Sequence, residues 1–137
     1  MPTFIQAQSV LYPEVAYPTY LVGALLAEAE ATAVNRDAAA WPKADMAWVN
    51  SPSNPTGRVH SEAELRAAVA WSREHKSVVV SDECYLEFGD KATPTSILQY
   101  TDGDNTNVLA VHSLSKRSSM AGYRAAFIRS EEHTSEL

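Results

Sequence analysis

The stretch SVVVSDE, residues 77–83, gives the clearest indication of the fold. Its three consecutive valines are β-branched, and no charged residue interrupts the run before Asp82. A strand of this composition is typical of a parallel sheet that is covered on both faces, because every side chain then meets apolar neighbours. Residues 77–83 therefore predict a central strand of an α/β protein.

The segments on either side of this strand extend the same pattern. Short apolar runs predict further strands, the last two of the same buried kind: VLY (10–12), AWVN (47–50), NVLAVHS (107–113) and GYRAAFI (122–128). Helices are predicted over 21–31 and from Ser61 to about His75, where Ser61 and Glu64 have the spacing of a capping box. Strands that alternate with helices predict a mostly parallel sheet with covering helices.

Composition excludes several classes of function. The chain has 137 residues, 45% of them hydrophobic and 20% charged, as in an ordinary globular domain. A net charge of −6 argues against nucleic-acid binding, which needs clustered Lys and Arg. No apolar run reaches about 18 residues and the first residues lack a secretory signal, so we expect a cytoplasmic protein without membrane segments. The single cysteine and the scattered histidines predict no metal site.

Polar residues follow the ends of the predicted strands, where ligands bind in open α/β sheets. Asn54 follows AWVN, Asp82 ends SVVV, and Lys116 follows VLAV. Taken singly, each has an ordinary structural explanation, such as a turn residue, a cap or a solvated charge. Together with Tyr85 and Arg124 they bring an amide, a carboxylate, a phenol, an amine and a guanidinium to one edge of the sheet. This set suits a heteroaromatic aldehyde phosphate.

Four motifs in this region carry a family resemblance. SNPTG (53–57), SDECY (81–85), SLSK (113–116) and GYR (122–124) resemble, in order and spacing, the class I/II aminotransferases, which are fold-type I pyridoxal-phosphate enzymes. The resemblance covers residues of about 10 to 128. It implies that residues 1–128 are the central part of the family's large, cofactor-binding domain, and that the parent enzyme is a homodimer.

The resemblance also implies roles for the residues that match the motifs. Lys116 would form an aldimine with pyridoxal 5'-phosphate and shuttle the substrate's proton. Asp82 would keep the pyridine nitrogen protonated, and Tyr85 would hydrogen-bond the ring oxygen. These three residues are the predicted catalytic set.

Four further residues are predicted to bind the cofactor. Asn54 would contact the ring oxygen, and a cis bond between Asn54 and Pro55 is expected because the Asn side chain is aimed inward from a tight turn. Ser113, Ser115 and Arg124 would bind the phosphate, Arg124 through its planar fork of donors.

The finer function follows from two longer stretches. LYPEVAYPTY (11–20) and HSLSKRSSMAGYRAAF (112–127) are similar to the N-succinyldiaminopimelate aminotransferase subfamily, which implies transfer of an amino group between N-succinyldiaminopimelate and 2-oxoglutarate. Another fold-type I reaction, such as a C–S lyase, and an aminotransferase-like sensor domain of a transcription regulator remain alternatives. The last nine residues, RSEEHTSEL (129–137), match a translated sequencing adapter, and we expect them to be a non-native tail.

Overall fold

One sheet of six strands organises the part of the chain that the computed structural model describes, residues 1–89 and 92–130. The strands are β1 (Ser9–Pro13), β2 (Glu30–Val34), β3 (Met46–Asn50), β4 (Val78–Asp82), β5 (Val108–Ser113) and β6 (Ala126–Arg129). Their order across the sheet is β2-β1-β3-β4-β5-β6. All neighbouring pairs are parallel except β5 and β6, so the predicted mostly parallel α/β sheet is confirmed.

Two helices cover the two faces of this sheet, α2 (Thr19–Leu26) on one and α3 (Glu62–His75) on the other. Two shorter helices are α1 (Pro2–Ile5) and α4 (Leu114–Arg117). The predicted capping box begins α3: the Ser61 hydroxyl accepts from the Glu64 N–H at 3.3 Å, and the Ser61 N–H donates to Glu64 Oε2 at 2.8 Å. Two donors that the first turn would leave unpaired are thereby satisfied.

Two apolar layers result, one on each face of the sheet. On the α2 side, Ala24 lies in a buried cluster with Val10, Met46 and Val80. On the α3 side, a larger cluster joins the helix to the strands: Leu65, Ala68, Val69, Val79 and Val108. The valines of SVVVSDE therefore contribute to both layers, as a strand buried on both faces should.

The predicted helix over 21–31 is wrong in its second half. Helix α2 ends at Leu26, Glu28 has a positive φ of 56°, and Glu30 already begins β2. Alanine and glutamate favour a helix locally, but residues 30–34 pair along the whole of β1, from Ser9–Glu30 to Pro13–Val34. The hydrogen bonds and packing of the sheet override the local propensity.

The predicted strand over 122–128 is also corrected. A 3₁₀ turn occupies 121–123, and β6 begins only at Ala126. All four residues of β6 are exposed, whereas a buried strand was predicted. Strand β6 is an edge strand: in the described part of the chain its one strand neighbour is β5, to which it is antiparallel. An edge strand is less covered than a central one, which explains its exposure.

Within residues 1–89 and 92–130, no helix combines the length and apolar character that a membrane span requires. The same residues contain no group of three or more His, Cys, Asp or Glu side chains placed to hold a metal ion. Arg129 of the predicted non-native tail ends β6, and residues 131–137 of that tail lie outside the described residues.

Candidate functional site

The carboxyl ends of three adjacent strands form the candidate site. Strands β3 and β4 align Asn50 with Asp82, and β4 and β5 align Asp82 with Val111. The turn with Asn54 leaves β3, Tyr85 follows β4, and the segment with Lys116 leaves β5. Because the three strands are parallel, the segments that carry these residues lie at one edge of the sheet.

Both carboxylate oxygens of Asp82 are engaged. Oδ2 accepts a hydrogen bond of 2.7 Å from the Tyr20 hydroxyl, and Oδ1 accepts from the Cys84 N–H at 3.1 Å. The Tyr20 ring is buried and lies 4.9 Å from the Trp48 ring. Burial raises the pKa of Tyr20, and the negative charge of Asp82 raises this pKa further, so the phenol remains a hydrogen-bond donor.

The contribution of Tyr20 was missed in the sequence. It belongs to YPTY, which follows the short strand β1, and the carboxyl end of β1 lies at the same edge of the sheet as Asp82. The sequence signal that could have identified Tyr20 as a site residue is its position shortly after a strand of a parallel sheet. Its partner is 62 residues away along the chain, and that distance hid the pairing.

Lys116 and Tyr85 lie together. The Lys116 Nζ is 5.9 Å from the centre of the Tyr85 ring, which is within the range of a cation–π contact. The neighbouring Arg117 is turned towards Glu87, with its Nε 2.7 Å from the Glu87 carboxylate. A cleft of about 250 Å³ opens beside Tyr85, and Asn54 lines the same cleft.

The turn that carries Asn54 contains two cis peptide bonds. The Asn54–Pro55 bond is cis, as predicted, and the Ser51–Pro52 bond is cis as well, which was not predicted. The Asn54 N–H donates to the side-chain oxygen of Asn50 at 2.7 Å. Asn50 thus enters the site as a second residue that the sequence did not single out.

The predicted phosphate-binding residues lie on the segment after β5. The Ser113 hydroxyl accepts from the Ser115 N–H at 3.1 Å and caps α4. Ser113 pairs with Ala126 of β6, so the chain returns to the same end of the sheet directly after Arg124. Arg124 is exposed, has a left-handed backbone with φ of 50°, and donates through Nη1 to the Ala121 carbonyl at 3.2 Å.

A buried acid and a buried base lie directly beneath the site. Glu83 Oε1 accepts from the Ser96 hydroxyl at 3.0 Å and from the Ile97 N–H at 2.8 Å, while Oε2 lies 3.4 Å from Nε2 of His112. Burial raises the pKa of Glu83 and lowers the pKa of His112, so each group is driven towards its neutral form. The pair joins β4 to β5 one residue away from Asp82 and Ser113.

Fold and site together define an α/β protein with a candidate ligand site at the carboxyl edge of a mostly parallel sheet. Residues 3–135 match the family model for aminotransferase class I and II. This match spans nearly the whole chain, and the chain therefore belongs to the class I and II aminotransferase family.

Individual relatives agree with this assignment. Probable aminotransferase Rv1178 of Mycobacterium tuberculosis is 50% identical over 125 residues, which is 89% of this chain and 30% of that protein. The 4-dedimethylamino-4-oxo-anhydrotetracycline transaminase OxyQ of Streptomyces rimosus is 47% identical over 85% of this chain and 33% of its own length. The chain thus spans about a third of these relatives.

Solved structures show the same fold. A probable N-succinyldiaminopimelate aminotransferase from Thermus thermophilus superimposes with a TM-score of 0.83 at 28% identity, covering 90% of this chain and 36% of that one. Aminotransferase AspB from Helicobacter pylori gives 0.81 at 31% identity, covering 94% and 39%.

Proposed function

We propose that this chain is the cofactor-binding part of a pyridoxal-phosphate-dependent aminotransferase, an enzyme that moves an amino group from an amino acid to a 2-oxo acid. The observation that supports this most directly is the position of Lys116 above the Tyr85 ring, at the edge of the sheet where Asp82 and Asn54 also lie.

The residues at this edge fit pyridoxal phosphate by their chemistry. The cofactor has an aldehyde, a ring nitrogen, a ring hydroxyl and a phosphate. The site has a primary amine in Lys116, a carboxylate in Asp82, and a phenol and an amide in Tyr85 and Asn54. Hydroxyl and guanidinium donors for the phosphate come from three residues: Ser113, Ser115 and Arg124.

Each side chain then has a distinct task. Lys116 would hold the cofactor through its primary amine, the group that reacts with aldehydes, and would carry a proton to and from the substrate's Cα. Asp82 would keep the cofactor's ring nitrogen protonated, and Tyr20 orients the Asp82 carboxylate through its 2.7 Å bond. When bound, the cofactor supplies an electron-poor ring that stabilises negative charge at the substrate's Cα.

For the substrates, we infer N-succinyldiaminopimelate as amino donor and 2-oxoglutarate as acceptor. The similarity of residues 11–20 and 112–127 to that subfamily supports this choice, as does the fold of the Thermus thermophilus enzyme with that name. A different amino acceptor is the main competitor, because relatives with higher identity include OxyQ, a transaminase named for a 4-oxo tetracycline, a ketone that can accept an amino group. A C–S lyase or a regulator's sensor domain would use the same cofactor residues.

We further propose that the parent enzyme is a cytoplasmic homodimer.

Covalent labelling tests the cofactor assignment. The purified 137-residue chain is mixed with pyridoxal phosphate, reduced with borohydride and mapped by peptide mass spectrometry. We expect a stable secondary amine on Lys116 that is lost in Lys116→Ala and retained in Lys43→Ala, which removes an exposed lysine elsewhere. Labelling spread evenly over the lysines, or unchanged by Lys116→Ala, would refute the proposal.

A further inference from the structure

Asn50 makes an unusually complete set of side-chain hydrogen bonds for a residue with no predicted role. It is the last residue of β3 and is 3% exposed. Its Nδ2 donates to the Asp82 carbonyl at 3.1 Å and to the Pro52 carbonyl at 3.3 Å, while its Oδ1 accepts from the Asn54 N–H at 2.7 Å.

These bonds determine the orientation of the amide. The nitrogen end faces two carbonyl oxygens and the oxygen end faces an N–H group, so a flip of the amide would oppose like groups at both ends. Since the side chain is buried, a lost bond would not be replaced by bulk water. The amide therefore connects the turn after β3 to the backbone of β4 in one geometry.

The turn needs such a connection for a chemical reason. Two of the residues between Asn50 and Thr56 are prolines, Pro52 and Pro55, and neither has a backbone N–H to donate. The Ser53 N–H bonds to the Arg58 carbonyl at 2.9 Å, within the same connection to α3, and so does not reach β4. The Ser51 N–H does reach β4, at 3.3 Å from the Asp82 carbonyl, but it lies at the start of the turn. The Asn50 side chain bonds to the same carbonyl and also to the Asn54 N–H, so it joins Asn54 itself to β4.

We propose that Asn50 is a positioning residue of the cofactor site, one whose single amide sets the distance between Asn54 and Asp82. The proposal rests on the proposed function, because those are the residues assigned to the ring oxygen and the ring nitrogen of the cofactor. A flat ring that contacts both at once requires their spacing to be constant.

Two substitutions separate the two ends of the amide. Asn50→Asp keeps an acceptor for the Asn54 N–H but puts an oxygen against the carbonyls of Asp82 and Pro52. Asn50→Ala removes all three bonds. Ser72→Ala is the matched control: Ser72 is fully buried and donates at 2.7 Å to the Ser77 carbonyl, in the α3 layer and at the opposite end of β4 from Asp82.

The first readout needs no cofactor. Amide hydrogen exchange followed by NMR reports the protection of the Asn54 N–H in each variant of the 137-residue chain. We expect this protection to remain in the parent, in Asn50→Asp and in Ser72→Ala, and to be lost in Asn50→Ala. Unchanged protection of the Asn54 N–H in Asn50→Ala would overturn the proposal.

The second readout is the pyridoxal phosphate concentration that gives half-maximal labelling of Lys116, measured where all variants are equally folded. We expect this concentration to rise about ten- to a hundredfold in both Asn50 variants, because misplaced contacts weaken capture, and to stay within about twofold in Ser72→Ala. Parent-like capture by both Asn50 variants, or an equal loss in Ser72→Ala, would overturn the proposal.

The two readouts also separate this inference from the proposed function. If the parent chain shows no selective labelling of Lys116, the cofactor assignment fails, and with it the cofactor role of Asn50. The exchange data then still decide whether Asn50 holds the turn. If Lys116 is labelled in the parent, and both Asn50 variants capture the cofactor as well as the parent does, the proposed function stands and the positioning role of Asn50 is wrong.

Discussion

The Tyr20 hydroxyl donates a 2.7 Å hydrogen bond to Oδ2 of Asp82, across 62 residues of sequence. Tyr20 is in α2 and Asp82 ends β4, so this bond ties the covering helix to the carboxylate of the candidate site. The Cys84 N–H holds the other oxygen of the same carboxylate at 3.1 Å. The orientation of Asp82 is thus set by groups that flank it on two sides.

Tyr20→Phe is expected to destabilise the fold by about 1 to 3 kcal/mol, because it removes a donor to a charged acceptor and keeps the ring that packs on Trp48. Urea unfolding measures the change. Tyr17→Phe, at a residue that is 53% exposed, is the control and should have almost no effect. Equal stability of Tyr20→Phe and the parent would mean that the bond contributes nothing net.

A double-mutant cycle isolates the pair itself. The combination of Tyr20→Phe with Asp82→Ala should cost less than the sum of the single changes, with a coupling energy of about 1 to 2 kcal/mol. The two residues share one direct bond, so additivity would show that Tyr20 acts through packing alone. The four unfolding free energies are measured in one buffer at one pH.

Ser61→Ala should destabilise the protein by about 0.5 to 2 kcal/mol through loss of the N-cap of α3. The Glu64 carboxylate would still accept from the residue 61 N–H, so only half of the capping box is removed. Thermal unfolding of this variant beside Ser118→Ala, an exposed serine outside the helix, measures the effect. An equal melting temperature for the two variants would contradict the prediction.

Acid should weaken the fold through His60. Burial lowers the pKa of this histidine in the folded protein. The folded protein therefore binds a proton at His60 less readily than the unfolded chain, in which a histidine has a pKa of about 6.5. The stability that His60 contributes is present above that pH and is lost as the pH falls through the folded-state pKa. His112, with its pKa lowered in the same way, adds to the loss.

His60→Leu should therefore reduce the loss of stability between about pH 8 and about pH 5.5, a window above the titration of ordinary carboxyl groups. Urea midpoints at both pH values are compared between the variant and the parent, so that any change in packing cancels. An identical loss in both proteins would show that His60 is not linked to folding.

The 137-residue chain alone is expected to capture cofactor without transferring amino groups. It covers 30% and 33% of the two relatives described above, and the resemblance implies that the group that binds the substrate's carboxylate lies elsewhere in such proteins. Loss of that orientation can raise the barrier by about 7 to 11 kcal/mol. Glutamate formation from 2-oxoglutarate is followed with a range of amino donors. Turnover at even a modest fraction of the rate of a complete aminotransferase would contradict the expectation.

Local signals predicted the elements whose stability is itself local or strongly apolar. The capping box predicted the start of α3, and the valine run predicted β4. The helix assigned to 21–31 failed at β2, because Ala and Glu favour a helix until a neighbouring strand offers hydrogen bonds. The strand predicted over 122–128 was expected to be buried but is exposed, because β6 is an edge strand of the sheet.

The sequence by itself determined which chemical groups are present and in what order. Asp82 ends a strand and Asn54, Tyr85 and Lys116 each follow one, and the alternation of strands with helices implies that these strands are parallel. Tertiary structure alone decided which neighbours orient those groups. Tyr20 follows β1 and Asn50 ends β3, but nothing in the sequence names their partner, and each acquires its role only when folding brings it against Asp82. The physical reason is that hydrogen bonds depend on distance and angle in three dimensions, and partners far apart in sequence leave no local signal of such a contact.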